Sequence, residues 1–296
     1  MRRRTLILAA AAAAAAPLAA AATAQRHGLS GPPRWRGVPG ASPMLSWRAM
    51  PAVAVTINGK GPFTLGIDTG APGYLHLSKP VAAAAGLASV GSAISADPSG
   101  KNPITVERYR VAALTVAGVT FLDVDADELP AIGAPGDELA GVLGMDLFDA
   151  LTLTLDFKGR QVALSRAGLP PPDGKTIFGY DAGDYIQLPL QIGEVIMPTH
   201  LDTGQTNAPL IVPEGLVGKL ATHGAPTKVG TAHTVSEAVD VFSIALDAPV
   251  HLGDVRFPVT SVTYPTFVPI ANLGSTALQT MSLMIDRPAR RIRFVA

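Results

Sequence analysis

Two six-residue stretches decide the fold: residues 65–70 read LGIDTG and residues 199–204 read THLDTG. In each, a strand pattern runs directly into Asp-Thr-Gly, so Asp68 and Asp202 come at the ends of buried strands. A carboxylate in that position is costly unless hydrogen bonds satisfy its oxygens. The glycine that ends each triplet permits a sharp turn and lets backbone N–H groups approach the carboxylate. Asp68 and Asp202 are therefore expected to occupy equivalent turns.

The two stretches are landmarks of a longer internal repeat. They stand 134 residues apart, and four further landmarks recur in the same order at offsets between 130 and 135. The paired residues are 116–118 with 251–253, 143–144 with 273–274, 155–156 with 285–286, and 160–164 with 290–294. The period is too long for a solenoid, so the pattern predicts one duplicated β lobe.

Proline content places the boundary between the two copies. Residues 166–180, RAGLPPPDGKTIFGY, form the densest proline stretch, which predicts a linker over 166–183. The N-terminal lobe is then expected over 46–165 and the C-terminal lobe over 184–296. The expected fold class is mostly β, with two β-barrel-like lobes and short helices.

Two local signals inside the N-terminal lobe support that class. Apolar residues alternate on both sides of Asn58-Gly59, a pair typical of a β-hairpin turn. Residues 79–88, KPVAAAAGLA, predict a short helix that ends at Gly86.

The N-terminus has the pattern of a secretory signal. Three arginines at 2–4 precede an apolar, alanine-rich run from Leu6 that ends at Ala22-Thr23-Ala24, so residues 1–24 are expected to be removed. A membrane anchor is the alternative, but alanine is only weakly apolar. The arginine pair also resembles a twin-arginine signal. We expect a periplasmic or secreted protein with no stable membrane anchor after cleavage. Residues 25–45 are expected to form a loose leader before the N-terminal lobe.

Composition excludes several classes of protein. The chain of 296 residues has no cysteine, which excludes disulfides, thiolate metal sites and a cysteine nucleophile. Its 23 basic and 23 acidic residues balance, and the sequence has no basic block, so nucleic-acid binding is not expected. The histidines have no metal-ligand spacing, so we expect no metal and no cofactor. The acidic residues Asp123, Asp125, Asp127 and Glu128 favour a solvated strand edge over a calcium loop.

The chemistry follows if the duplication brings Asp68 and Asp202 together. Two carboxyl groups at hydrogen-bonding distance cannot both ionise easily, so they share a proton and titrate as a pair. One then acts as a base toward water while the other protonates a carbonyl oxygen. This arrangement hydrolyses an amide without a metal or a covalent intermediate.

The motifs resemble those of the retropepsin-like aspartic proteases, which include exported members. The resemblance rests on DTGA at 68–71, GVLGMDLF at 141–148 and LTLDF at 153–157, with a second hydrophobic-Gly element, NLGS, at 272–275. It extends over nearly all of the mature chain. A single chain with two tandem lobes implies a monomer that forms an intramolecular pseudo-dimer.

The resemblance also implies roles for individual residues. Asp68 and Asp202 would be the catalytic pair of an endopeptidase acting on peptide or protein substrates. The supporting loops would be Thr69 and Gly70 in one lobe and Thr203 and Gly204 in the other, with the threonine hydroxyls interlocking. Flap hairpins would lie near 94–108 and 226–238, around Gly100 and Gly230.

The sequence departs from the family after each triplet. Residues 71–73, Ala-Pro-Gly, supply no hydroxyl to the first carboxylate, and residues 205–207, Gln-Thr-Asn, are polar but unusual.

Other interpretations remain open. The aspartates could cap only their own turns, or the lobes could form a non-catalytic periplasmic peptide-binding or scaffold protein. His200 shares a strand face with Asp202 and is either a dyad neighbour or a satisfied polar residue.

Overall fold

The computed structural model describes residues 33–95, 103–133, 136–181, 183, 185–233, 238–265 and 268–296. The predicted signal peptide at 1–24 lies outside these residues. The described part is mostly β, as expected, with strands arranged in three sheets. Within it, no helix is both long enough and apolar enough to cross a membrane.

Short strands joined by tight turns make up both halves of the chain. The elements of the first half are β1 (Arg34–Gly37), β2 (Ala41–Pro43), β3 (Leu45–Trp47), β4 (Met50–Ile57), β5 (Lys60–Asp68), β6 (Leu75–Leu77), α1 (Lys79–Ala85), β7 (Ser89–Ser95), β8 (Ile104–Val116), β9 (Val119–Glu128), β10 (Gly141–Gly144), a 3₁₀ helix (Met145–Phe148), β11 (Thr152–Asp156) and β12 (Gln161–Ser165).

The second half continues in the same style. Its elements are β13 (Ile177–Gly179), β14 (Gln187–Ile192), β15 (Val195–Asp202), β16 (Leu210–Ile211), α2 (Glu214–Val217), β17 (Thr222–His233), β18 (Ala238–Leu246), β19 (Val250–Leu252), β20 (Val255–Phe257), β21 (Ser261–Pro265), β22 (Ala271–Gly274), a 3₁₀ helix (Ser275–Ala277), β23 (Ser282–Asp286) and β24 (Arg291–Val295).

The two local signals of the first half are confirmed. Asn58 and Gly59 connect β4 to β5 with φ angles of 51° and 77°, the left-handed values that a two-residue hairpin turn needs. Helix α1 ends where predicted, because Gly86 has a φ of 72° and its N–H bonds back to the last helical carbonyls.

The first nine-stranded sheet holds Asp68 at the end of a central strand. Its strand order is β1-β9-β6-β10-β5-β4-β8-β7, with β3 beside β4, and a further pairing of β8 with β9 closes it on itself. Strand β10 runs parallel to β5, which places Gly144 opposite Asp68. Strand β6 is antiparallel to β10 and parallel to β9.

The second nine-stranded sheet holds Asp202 in the corresponding place. Its order is β17-β18-β21-β16-β22-β15-β14-β19-β20. Strand β22 runs parallel to β15 and places Gly274 opposite Asp202. Strand β16 is antiparallel to β22 and parallel to β21. The four strands around each aspartate therefore have the same arrangement.

A six-stranded sheet joins the two halves. Its order is β13-β24-β23-β11-β12-β2, and its centre is an antiparallel ladder between β11 and β23, from the pair Thr152 and Asp286 to the pair Asp156 and Ser282. One core of buried apolar side chains spans all three sheets and includes Ile67, Leu153, Leu201 and Ile285.

The two predicted connecting segments, the leader and the linker, contain short strands. In the leader predicted over 25–45, β1 pairs with β9 and β2 pairs with β12. In the linker predicted over 166–183, β13 pairs with β24 and buries Ile177 and Phe178. These edge strands are three or four residues long, too short for an alternating apolar pattern to distinguish them from loops.

Hairpins lie where flaps were expected. Strands β7 and β8 pair through Ser95 and Ile104, and β17 pairs with β18 up to His233 and Ala238. The predicted tip near Gly100 lies outside the described residues, whereas Gly230 lies within β17.

Candidate active site

The structure brings the two Asp-Thr-Gly turns together. Asp68 and Asp202 are the last residues of β5 and β15, and their exposed fractions are only 3% and 1%. Both strands are central in their sheets, so each aspartate is held between paired neighbours.

The two threonines lock the turns to each other through four hydrogen bonds. The backbone N–H of Thr69 donates to the Thr203 hydroxyl at 3.0 Å, and the N–H of Thr203 donates to the Thr69 hydroxyl at 2.9 Å. Each hydroxyl then donates across to the opposite strand, Thr69 to the carbonyl of Leu201 and Thr203 to that of Ile67, both at 2.7 Å. All four bonds are buried, which fixes the spacing of the adjacent carboxyl groups.

The carboxyl groups of Asp68 and Asp202 lie close enough for each to shift the pKa of the other. Each also accepts a backbone N–H from its own turn: Gly70 donates to Oδ1 of Asp68 at 2.7 Å, and Gly204 donates to Oδ1 of Asp202 at 2.9 Å. The aspartates therefore cap their own turns and also contact each other across the two halves.

The glycines of the triplets serve mainly to leave space. Neither Gly70 nor Gly204 has a positive φ. A Cβ atom on Gly70 would lie 2.8 Å from Cγ of Asp202, and one on Gly204 would lie 2.6 Å from Cγ of Asp68. Each glycine is thus required by the carboxyl group of the opposite turn, a reason that the sequence pattern alone does not show.

Burial sets the protonation of the pair. It raises the pKa of Asp68 to about 7, with the charge of Asp202 adding to the rise and the Gly70 hydrogen bond opposing it. Burial also raises the pKa of Asp202, against hydrogen bonds from Asn272, Gln205 and Gly204 that favour its ionised form. A carboxyl group that keeps its proton toward neutral pH, beside one that can ionise, is suited to acid–base chemistry.

Sequence reasoning missed Asn272 as a functional residue. Its side-chain amide donates to Oδ2 of Asp202 at 2.8 Å, and it is 3% exposed. The signal was present within the second hydrophobic-Gly element, where an asparagine stands at the position that Val142 holds in the first. The backbone N–H of Gln205, directly after the second triplet, also donates to Asp202 at 3.1 Å.

His200 is a buried neighbour of the pair. It is 2% exposed, its ring centroid lies 4.7 Å from that of Tyr185, and its Nε2 has no hydrogen-bond partner among the described residues. Burial lowers the pKa of His200 to about 4, although the charge of Asp68 and the Thr69 backbone favour protonation. The imidazole is therefore neutral over most of the pH range.

The acidic residues of β9 form ion pairs with basic residues around them. The pairs are Arg34 with Asp123, Arg110 with Asp125, Arg108 with Asp127 and Lys79 with Glu128. In the part of the chain that the structure describes, no group of three or more acidic or histidine side chains is arranged to hold a metal ion.

Comparison with protein families gives a match to part of the chain. Residues 53–147 match the family model of the aspartyl proteases. A search of the curated proteins found no match. The matched stretch begins in β4 and ends just beyond β10, and so contains Asp68 and the Gly144 element beside it. This match supports the resemblance of residues 53–147 to the retropepsin-like aspartyl proteases.

Proposed function

We propose that the chain is an exported aspartic endopeptidase that hydrolyses peptide bonds with a water activated between Asp68 and Asp202. The observation that carries the proposal is the pair of buried carboxyl groups, contributed by different halves of the chain, on two turns that Thr69 and Thr203 bond to each other. The family domain around Asp68 supports protease activity in general.

The proposal includes a bilobal origin for the site. The arrangement of the strands around Asp68 repeats around Asp202, and the threonine hydrogen bonds are nearly symmetric. These observations support two duplicated lobes that form an intramolecular pseudo-dimer. Export rests on the sequence of residues 1–24 alone.

The carboxyl groups would divide the acid and base steps between them. The ionised carboxyl takes a proton from water as the water oxygen bonds to the carbonyl carbon of the peptide. The protonated carboxyl gives its proton to the carbonyl oxygen, which produces a tetrahedral gem-diol. Because burial excludes bulk water from both groups, each proton transfer has a fixed donor and acceptor.

The two hairpins are the proposed contacts for an extended peptide. Val90 and Ile94 on β7 and Val229 on β17 are exposed, with exposed fractions of 65%, 69% and 41%. A substrate strand lying along such a hairpin would gain main-chain hydrogen bonds and apolar contacts. The proposed substrate is therefore a peptide or an unfolded segment of a protein.

The test is cleavage of a diverse peptide library at several pH values by the mature chain. Asp68→Asn or Asp202→Asn should each lower the cleavage rate at least about 100-fold, since one of the two proton transfers is lost. Asp247→Asn is the matched control, because Asp247 is an exposed residue paired with His223. Full activity in either dyad variant would exclude the mechanism. Peptide binding without cleavage by the native chain, unaffected by pepstatin-type inhibitors, would indicate a non-catalytic binding protein instead.

A further inference from the structure

The two halves of the site differ at one pair of facing positions. In the first sheet, Val142 pairs with Gly66, two residues before Asp68. In the second sheet, the same positions are held by Asn272 and His200, two residues before Asp202. One aspartate therefore has an apolar neighbour from the parallel strand, and the other has an amide.

This difference gives the two carboxyl groups unequal numbers of donors. Asp202 accepts from the N–H groups of Gly204 and Gln205 on Oδ1 and from Asn272 on Oδ2, at 2.9, 3.1 and 2.8 Å. Asp68 accepts one such bond, from Gly70 at 2.7 Å. Donated hydrogen bonds stabilise the ionised form of a carboxyl group, so the surroundings favour the charge on Asp202.

The orientation of the Asn272 amide follows from the same contacts. Turning the amide over would place Oδ1 against Oδ2 of Asp202, two acceptors facing each other whenever that carboxyl is ionised. Among the described residues, Oδ1 of Asn272 has no hydrogen-bond partner, so the bond to Asp202 is what orients the side chain.

The titration of the surrounding groups agrees with this assignment. Burial raises the pKa of Asp68 to about 7 and the nearby charge of Asp202 raises it further, which places the shared proton on Asp68 and the charge on Asp202. The other titratable group facing the pair is His200, whose pKa burial lowers to about 4, so it adds no positive charge near neutral pH.

We propose that Asn272 is a positioning residue that keeps Asp202 as the ionised member of the pair and leaves the shared proton on Asp68. The catalytic consequence of this role rests on the proposed function. Asp202 takes the proton of the attacking water, and the Asp68 proton goes to the carbonyl oxygen. When the C–N bond of the gem-diol breaks, Asp202 gives its proton to the leaving nitrogen and Asp68 takes one from a diol hydroxyl, which restores the starting state.

The experiment replaces the amide with a side chain of the same shape, Asn272→Leu. The control is Thr199→Val, since Thr199 is likewise buried, on the neighbouring strand β15, and its hydroxyl donates to the carbonyl of Met197 at 3.2 Å rather than to the carboxyl pair. We would record the pH profile of kcat/KM, and the ¹³C NMR titration of the aspartate carboxyl carbons, assigned with Asp68→Asn and Asp202→Asn.

Loss of the donor should raise the lower pKa of the pH profile by about one to two units. A hydrogen bond to a charged group stabilises the charge by an amount of free energy that corresponds to a shift of about that size. The carboxyl carbon of Asp202 should move with it, kcat should fall more than KM changes, and Thr199→Val should leave both titrations in place.

Two results would overturn the assignment. One is an Asp202 carboxyl that titrates at a higher pH than Asp68 in the native chain, a result that does not depend on whether Asn272→Leu folds. The other is an unchanged pair of titrations in Asn272→Leu. The proposed function fails separately: a native chain that cleaves no peptide but shows the unequal titration keeps the role of Asn272 and loses the protease.

Discussion

At the scale of the residue, the buried imidazole and the buried carboxyl pair affect stability in opposite directions. Asp68 has a raised pKa, so its contribution to stability is complete below pH 3.8 and is lost as the pH rises toward 7. His200 has a lowered pKa, so the unfolded chain binds a proton that the folded chain does not between about pH 6.5 and 4. Its contribution therefore falls as the pH falls through that window.

Replacing His200 should separate its effect on the pH dependence of stability from that of Asp68. In His200→Gln, the unfolded chain no longer gains a histidine proton at low pH. The free energy of unfolding of the variant minus that of the native chain should therefore increase as the pH is lowered from 7 to 4.5. The lowered pKa of about 4 sets the upper limit of this gain at about 3 kcal/mol. Urea denaturation at several pH values measures it. A parallel offset at all pH values in His200→Gln would contradict the account.

Residues identified by a local motif were easier to predict than those identified by contact. The Asp-Thr-Gly triplets predict Asp68 and Asp202 because the turn, the carboxylate and the space that glycine leaves lie within three residues. Asn272 depends on the parallel register of β15 and β22, which joins residues 70 positions apart in the chain. No pattern inside a single strand contains that information.

At the scale of the element, two aspartates end corresponding strands of the six-stranded sheet. Asp156, at the end of β11, accepts from the N–H of Gly159 and the hydroxyl of Ser282 at 2.8 and 2.6 Å. Asp286, at the end of β23, accepts from the N–H groups of Ala289 and Leu169 at 3.0 and 2.7 Å. The bond to Leu169 attaches the proline-rich segment to the sheet.

Removing the second of these carboxylates should be costly. Asp286 is 1% exposed, and in Asp286→Ala the buried N–H of Leu169 would lose its partner. We expect the free energy of unfolding to fall by about 2–3 kcal/mol. Chemical denaturation measures the loss, and Asp156→Ala, at the more exposed position, should lose less. Equal losses in the two variants would show that the Leu169 bond contributes little.

The elements that sequence reasoning predicted have special local requirements. The Asn58-Gly59 turn and the end of α1 both need left-handed backbone, which limits the residues that fit. Strands β1, β2 and β13 have no such requirement. They exist because another strand offers unpaired backbone groups, so their position depends on the assembled sheet rather than on their own residues.

At the scale of the molecule, Arg287 connects distant parts of the chain. Its guanidinium is 11% exposed and bonds to Asp149 at 2.6 and 2.9 Å and to Asp146 at 3.1 Å. Arg287 follows β23, whereas Asp146 lies in the 3₁₀ helix just after Gly144. These ion pairs therefore connect the six-stranded sheet to the 3₁₀ helix that follows β10, the strand beside Asp68.

Loss of this cation should destabilise the whole fold. Arg287→Met removes the cation that two partly buried carboxylates share, and we expect the free energy of unfolding to fall by about 2–4 kcal/mol. Arg34→Met is the control, since Arg34 and Asp123 form an exposed pair whose loss should change stability little. Thermal unfolding of both variants compares the two. Similar midpoints would mean that the Arg287 cluster contributes no more than a surface pair.

The ladder between β11 and β23 has a consequence for how the site depends on protein concentration. The halves that carry Asp68 and Asp202 belong to one polypeptide and are therefore covalently linked. The pairing of Thr152–Asp156 with Ser282–Asp286 aligns them as the chain folds. A dyad assembled from two separate copies dissociates on dilution by mass action. Here the fraction of molecules with paired carboxyl groups is set by folding alone, so a single molecule contains a complete pair.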